Sequence, residues 1–414
     1  MKISNVMRWS VAGVAMAVLA ALYAPMASAH GEKSQAAFLR MRTLHWVDLK
    51  WSTDRMKVND LMELSGKVHV FKDWPETVSP PEGASFLNVG IPGPVLTRIE
   101  SYMGADQRFV PRSVQIERGK TYDFKLVLKA RRPGDWHVHP MINVEGGGPI
   151  IGPGKWVTIE GSMADYKHEV KALTGETVDI ETWKMGTFYF WTFFWWFWGW
   201  IFIWWWARRP LFMPRFVACQ EGRKHEIITD ADRKFGIGFM VATLVIVIFG
   251  YTSATATYPI TVPLQAGVMG VMTPNPEDHS VTATTDRAEY RVPGRSIKVT
   301  LTVTNNNDHP VELAEFMTAN IRFLNAEVLE DDTGYPANML SEDGLAMEEG
   351  NATVGPGETR TLTFTATDAA WETERLTDII YDPDSRFGGV LFFLGPDGQK
   401  HMVEIGGPLL PVFT

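Results

Sequence analysis

Three histidines offer the clearest chemistry in this sequence. His137 and His139 flank Val138 in the stretch Trp136-His137-Val138-His139, and His30 stands more than a hundred residues upstream. On a β-strand, side chains two apart share a face, so His137 and His139 can converge on one ion. Imidazole nitrogen suits copper, zinc, nickel and iron, with bonds of about 2.0–2.1 Å for zinc. His30 follows Ala27-Ser28-Ala29, which has the form of a signal-peptidase site. Cleavage there makes His30 the first residue, so that its α-amine and imidazole can chelate. An α-amine titrates near pH 7.7–8.0, which lets metal displace its proton close to neutrality. An all-nitrogen, tetragonal set favours Cu(II) over zinc. Asp135 and Glu145 are the candidate acceptors for the remaining ring nitrogens. Taken alone, a His-x-His pair on a strand is more often a surface or packing feature. Its conjunction with His30 in an exported β domain is what points to metal.

His45 and His69 form a candidate second site. His69 lies between Val68 and Val70 and faces away from them, and His45 is about fifteen residues from the expected mature start. A lone histidine in a β domain is usually a satisfied core or surface residue. His168, His225, His279, His309 and His401 stand in polar, loop-like contexts. The single cysteine, Cys219, excludes an intrachain disulfide framework and any Cys-rich metal site. No nucleophile elbow, dinucleotide fingerprint or His-Glu-x-x-His helix is present, so no catalytic residue is assigned beyond the metal candidates. With 48 Asp+Glu against 39 Lys+Arg the chain is acidic, which argues against nucleic acid as a partner.

The elements that must position these histidines follow from patterning. Residues 1–29 read as a cleaved secretory signal: Lys2 and Arg8, an apolar run from Trp9 to Leu22, then the small-residue site. An uncleaved anchor is the alternative. Residues 30–186 read as a β domain. Tyr122, Phe124, Leu126 and Leu128 alternate along 119–128, a second strand covers 66–71, and Pro/Gly clusters separate the strands. Such punctuation suggests an antiparallel sandwich or barrel. The glycines 146–148 and the run Gly152-Pro153-Gly154 read as turns, because no Lys-Ser/Thr pair follows to make a phosphate loop.

Residues 187–257 read as two membrane-crossing helices. The run 187–206 is uncharged, long enough to span a bilayer, and filled with Trp and Phe; a second apolar run covers 236–254. Trp throughout a span suggests packing on helices of partner subunits, the plainer alternative being contact with lipid. Arg208, Arg209, Arg215, Arg223, Lys224, Arg233 and Lys234 lie between the spans, which places that loop in the cytoplasm and both flanking domains outside. Residues 258–414 read as a second sandwich, with alternation at 297–303 and 362–366 and a hairpin about the turn 395–398. The stretch 119–128 lies over 294–303 without a gap. Extended in register, that alignment sets Glu312 and Ala314 opposite His137 and His139. A duplication would therefore leave the second copy without the histidine pair.

The stretches 30–38 (HGEKSQAAF), 131–139 (RRPGDWHVH) and 146–155 (GGGPIIGPGK) closely resemble the B subunit of particulate methane monooxygenase, and 259–267 (PITVPLQAG) and 378–386 (DIIYDPDSR) extend the match. Related ammonia monooxygenases share the architecture. The resemblance implies two cupredoxin-like β-sandwich domains joined by a transmembrane helical hairpin, in a trimer of three-subunit protomers in a bacterial inner or intracytoplasmic membrane, with both soluble domains on the periplasmic side. It maps copper ligands onto His30, His137 and His139 and a further copper position onto His45 and His69, and it implies a metal-free second domain. The function implied is a copper-binding subunit of a complex oxidising methane, or ammonia. A non-catalytic copper scaffold, with oxidation in two partner membrane subunits, is the competing expectation. A standalone electron carrier fits poorly, since no cysteine lies near His137 to supply a thiolate.

Overall fold

The computed structural model describes residues 35–91, 93–172, 175–209, 212–260, 267–292, 295–329, 339–348, 350, 352–369, 371, 376–381 and 384–413; the expected leader and His30 lie outside them. The chain is mainly β. It divides into one unit ending at Tyr166 and resuming at Gly267, and a second unit over Lys167–Ala266.

Among the described residues, the first unit begins with a short helix α1 (Ala37–Arg42) and the strands β1 (Leu44–Trp51), β2 (Arg55–Lys57), β3 (Leu61–Val70), β4 (Ser85–Gly90), β5 (Leu96–Met103), β6 (Arg108–Phe109), β7 (Thr121–Ala130), β8 (Gly134–Val144), β9 (Gly148–Ile151) and β10 (Lys155–Glu160). They form one sheet in the order β1-β3-β7-β5-β6 and another in the order β2-β10-β8-β4, with β9 paired to β8. Alternation built both layers: Tyr122, Phe124, Leu126 and Leu128 of β7 and Val138 and Ile142 of β8 are buried in one core. Each such side chain contributes about 1.5–3 kcal/mol by leaving water. His137 and His139 therefore share the face of β8 opposite Val138.

After the second unit the chain returns as β13 (Val281–Arg291), β14 (Ser296–Asn305), β15 (Val311–Thr318), β16 (Ile321–Leu324), β17 (Leu345–Met347), β18 (Thr353–Val354), β19 (Thr359–Thr367), β20 (Arg386–Leu394), β21 (Lys400–Pro408) and β22 (Leu410–Val412). The sheets run β17-β19-β14-β13-β22 and β16-β15-β20-β21, the latter with β18 on β15. The predicted echo has a topological counterpart. β7 and β14 are the middle strands of their sheets, and β8 and β15, which follow them, cross to the other sheet.

The two β regions meet along α1 and β1 on one side and β15 and β20 on the other. α1 sends Ala37 and Met41 into the second core. Glycine at 388 makes the close approach possible: a Cβ there would stand 2.5 Å from the Phe71 ring and 2.7 Å from the Met41 carbonyl. Arg42 pairs with Asp73 (3.3 Å) and Asp384 (2.9 Å), and Arg386 with Asp73 (2.8 Å). Buried Val47, Met317, Val390 and Phe392 fill the seam.

The second unit holds the hairpin β11 (Glu169–Lys171) and β12 (Thr177–Asp179) and the helices α2 (Met185–Ala207), α3 (Phe212–Gln220) and α4 (Asp230–Thr257). The hairpin groups with the helices, so this unit begins earlier than the expected domain edge at 187. Thr229 and Asp232 form a capping box that starts α4. Asp232 also accepts from Trp205 Nε1 (3.0 Å) and Arg209 (2.7 Å), which ties the end of α2 to the start of α4. Trp198, Phe202 and Trp205 share one face of α2; Trp198 stacks on Phe239 at 4.7 Å and Trp205 on Phe235 at 4.1 Å. Phe193, Trp196, Phe197 and Trp204 remain exposed on the other faces. Among the described residues, α4 is the one helix that is both long and, by mean hydropathy (2.1), apolar enough to cross a membrane.

Candidate metal centre

β8 delivers the two imidazoles as the spacing predicts. His137 Nδ1 and His139 Nε2 face each other at 2.8 Å, with ring centres 4.4 Å apart and planes nearly perpendicular. His139 is buried and His137 half-buried. His139 Nδ1 donates to the Gly152 carbonyl at 2.7 Å, which leaves Nε2 of the neutral ring with its lone pair towards His137. Two nitrogens each about 2.0–2.1 Å from one ion, at a right angle, stand roughly 2.9 Å apart. Here the same contact is a hydrogen bond from His137 Nδ1–H to His139 Nε2, so an ion bound between them would take the place of the His137 proton at nearly the same separation.

The loop between β9 and β10 shapes the site. Gly152 and Gly154 have negative φ, so glycine is needed there for room rather than for backbone freedom. A Cβ at Gly154 would meet His139 Cε1 at 2.6 Å, His139 Nδ1 at 2.7 Å and His137 Cε1 at 2.9 Å. A Cβ at Gly152 would meet the Trp46 indole at 2.7 Å. Read in the sequence as turn punctuation, these glycines turn out to be the wall against which the imidazoles lie. Trp156 stands across the strand pair from His137, with ring centres 5.1 Å apart.

Gln35 is a further positioning residue that sequence reading passed over. Its Nε2 donates to the Pro149 carbonyl (2.6 Å) and its Oε1 accepts from Ile151 N (3.1 Å), both in β9. β9 pairs with β8, Ile151 lying opposite Met141, so the chain just after His30 is fastened beside the histidine pair. Asp135 is engaged elsewhere than expected. The acceptor for His139 is the Gly152 carbonyl, and the Asp135 carboxylate instead accepts from Thr158 on the neighbouring strand (2.7 Å). A backbone carbonyl has no signature in the sequence, which is why side-chain acceptors stood out.

His45 and His69 are also brought together, as directly opposed residues of β1 and β3. Both are buried, because the second β region covers their face. His69 is held at both ring nitrogens, by Thr121 Oγ1 at 2.9 Å and Glu404 Oε2 at 2.6 Å. His45 Nε2 bonds the Met41 carbonyl at 2.9 Å, and its Nδ1 is buried with no hydrogen-bond partner. Burial, with His69 beside it, pushes the His45 imidazole down to about 3 and keeps it neutral. Contrary to its loop-like sequence context, His401 lies in β21 and is fully buried. Among the described residues, no group of three His, Cys, Asp or Glu side chains is placed to hold a metal, and His30 lies outside them.

Comparison with known proteins gives a consistent family. The profile of the family described as the monooxygenase B-subunit protein matches residues 31–413. The particulate methane monooxygenase alpha subunit of Methylococcus capsulatus (Bath) is 54% identical over 411 residues, 99% of this chain and 98% of that protein. The designations B and alpha are two labels within the same complex. Among solved structures, the cupredoxin domain of amoB from Nitrosocaldus yellowstonii is 18% identical with a TM-score of 0.24, covering 30% of this chain and 91% of that one; a score so low carries no argument about fold.

Proposed function

We propose a function on the premise that this chain belongs to the monooxygenase B-subunit family: it is the copper-binding, periplasm-facing subunit of a membrane complex that oxidises methane to methanol, with dioxygen and a reductant consumed and water released. The observation that carries this reading is the convergence of His137 Nδ1 and His139 Nε2 at 2.8 Å, backed by the Gly152 carbonyl and walled by Gly154. His30 is the third ligand of the proposal. Gln35 supports it, because five residues of extended chain reach roughly 17 Å from that anchor. Bound copper would supply dioxygen activation or electron relay. The chain's own residues hold His139 in the tautomer that frees Nε2, keep a Cβ out of the way of both imidazoles and fasten the N-terminal segment.

In the same proposal α2 and α4 are a transmembrane hairpin. α2 has 23 residues and no charge, about 34 Å of helix, and its Trp content lowers its mean hydropathy without adding charge. The cationic stretch between the helices is cytoplasmic, the β regions are cupredoxin-like and periplasmic, and the chain assembles with two other membrane subunits in a trimer of protomers. A second copper position at His45 and His69 would use the unpartnered His45 Nδ1 and would require His69 to release Thr121 or Glu404.

Replacing His137 and His139 together by alanine in the assembled complex tests the proposal. Copper per chain is expected to fall by the content of one site and methane oxidation by more than tenfold. Unchanged copper sinks the site; lost copper with full turnover moves oxidation into the partner subunits and leaves this chain a copper scaffold. Sequencing the mature N-terminus checks His30 directly, since a start elsewhere removes the amine ligand. Gln35→Ala is expected to weaken copper binding about tenfold, by analogy with other residues that hold a ligand in place. Competition against a chelator measures this, and equal affinity in variant and parent refutes the role of Gln35.

A further inference from the structure

The segment between α2 and α4 carries an apolar surface that the fold leaves exposed. α3 is nine residues long, about 13–14 Å of helix. Pro214 is tolerated in its first turn, where an amide has no carbonyl partner within the helix. Gly222 closes the helix. Its φ is +76°, and its amide donates to the Cys219 carbonyl (3.2 Å) while that of Arg223 donates to the Ala218 carbonyl (2.8 Å). Successive residues are turned by about 100°, so Phe212, Met213, Phe216 and Val217 share an arc of roughly 140°. All four are exposed, by 86%, 71%, 58% and 42% in that order. Ala218, on the far side of the helix, is buried. An exposed apolar face of this kind marks a contact surface.

The neighbouring residues favour lipid as the occupant. Trp205 Nε1 and Arg209 both donate to Asp232 Oδ1, so the end of α2 and the start of α4 stand at one level. Arg208 lies over the rings of Trp204 and Trp205, 4.5 and 4.3 Å from their centres. Tryptophan with arginine just beyond it is the composition of a membrane–water boundary. Phe212 follows Arg208 by four residues, so α3 begins within roughly 14 Å of that level. A helix tethered so close can lay its apolar face on acyl chains without disturbing either neighbour. Charge agrees: from Arg208 to Lys234 there are seven Lys or Arg against four Asp or Glu, which suits anionic headgroups. Arg223 is engaged by Glu221 and Glu226, whereas Arg215 stands beside the apolar arc and Lys224 just beyond the end of α3.

We propose that α3 is an interfacial helix, a reading that rests on α2 and α4 crossing the membrane as proposed above. It lies along the cytoplasmic face of the bilayer, with Phe212, Met213, Phe216 and Val217 set about 5–10 Å into the boundary between headgroups and acyl chains. Arg215 and Lys224 reach the anionic phosphates, since their long stems can lie along the boundary while the charges stay in water. So placed, α3 ties the turn of the hairpin to one leaflet and fixes the depth at which α2 and α4 sit.

The test uses the whole complex in bilayers of phosphatidylethanolamine and phosphatidylglycerol. Cys219, the single cysteine of this chain, is exposed and lies between Arg215 and Phe216 around the helix. A nitroxide is placed on it or, in a Cys219→Ser background, on Arg215→Cys, Phe216→Cys or Val217→Cys. Cys219→Ser alone supplies the blank for cysteines of other subunits. Collision with oxygen, which dissolves in lipid, is compared with collision with a nickel chelate, which stays in water. The oxygen-to-nickel ratio is expected to be about tenfold higher at 216 and 217 than at 215, with 219 between them. Nickel access at 216 and 217 equal to that at 215 overturns the interfacial helix. Shelter from both reagents overturns it in favour of a partner subunit covering the face. Natural Cys219 keeps the test open where a variant fails to assemble: nickel access there as high as for free nitroxide also overturns it. A further label on Val245→Cys, at an exposed position of α4, separates the two readings. Nickel access at 216 with oxygen access at 245 rejects the interfacial helix alone, whereas nickel access at 245 rejects the membrane hairpin with it.

Discussion

If the His137–His139 pair holds copper as proposed, Gly154→Ala is expected to empty that site. The added methyl would sit 2.6 Å from His139 Cε1, 2.7 Å from His139 Nδ1 and 2.9 Å from His137 Cε1, where carbon atoms in contact need about 3.5 Å or more. The strand cannot retreat, since Lys155 pairs with Val138 and Val138 is buried in the core. The rings must rotate instead. That breaks the bond from His139 to the Gly152 carbonyl and separates two nitrogens that must stand roughly 2.9 Å apart to share an ion. A loss of 10–100-fold in affinity is the magnitude that lesser disturbances around metal ligands produce, and about 100-fold is expected here. Copper per chain by elemental analysis, with assembly checked in parallel, gives the answer. An assembled complex with its full copper content rejects the geometry.

Arg322→Met is expected to destabilise the second β region by about 3–5 kcal/mol, the usual result of stranding one member of a buried ion pair. Glu315 in β15 and Arg322 in β16 are both buried and joined by two bonds, Nε to Oε1 at 2.6 Å and Nη2 to Oε2 at 2.5 Å. Lys400 stands 3.7 Å from the same carboxylate and is too far to replace the guanidinium fork. The double change Glu315→Met/Arg322→Met removes both charges and is expected to recover most of the loss. Thermal inactivation midpoints of the three proteins measure the effect. A single variant as stable as the parent shows that the pair contributes little.

Much of the architecture is readable from periodicity. The alternation at 122–128 and 297–303 falls on β7 and β14, the runs 187–206 and 236–254 fall within α2 and α4, and the turn 395–398 joins β20 to β21. What alternation leaves unseen is what covers a strand face. His69 reads as facing away from Val68 and Val70, and His45 is placed only by its distance from the expected mature start; both are buried, because the glycine-bearing backbone of β20 and Glu404 of β21 close over that side. The hairpin at 169–179 reads from sequence as part of the first β domain, since three-residue strands carry too little pattern to show where a unit ends.

The sequence alone determined which atoms could hold a metal here, because nitrogen donors two apart on a strand share a face wherever the strand lies. It also determined the signal-like leader, the two apolar runs and the absence of a thiolate for a blue-copper site. Tertiary structure decided the rest: the Gly152 carbonyl as partner of His139, the room at Gly154, and the anchoring of Gln35 on β9. Each of these depends on a backbone group, an empty volume or a long-range approach. Such features have no letter in the sequence, and they come into being when the sheets pack.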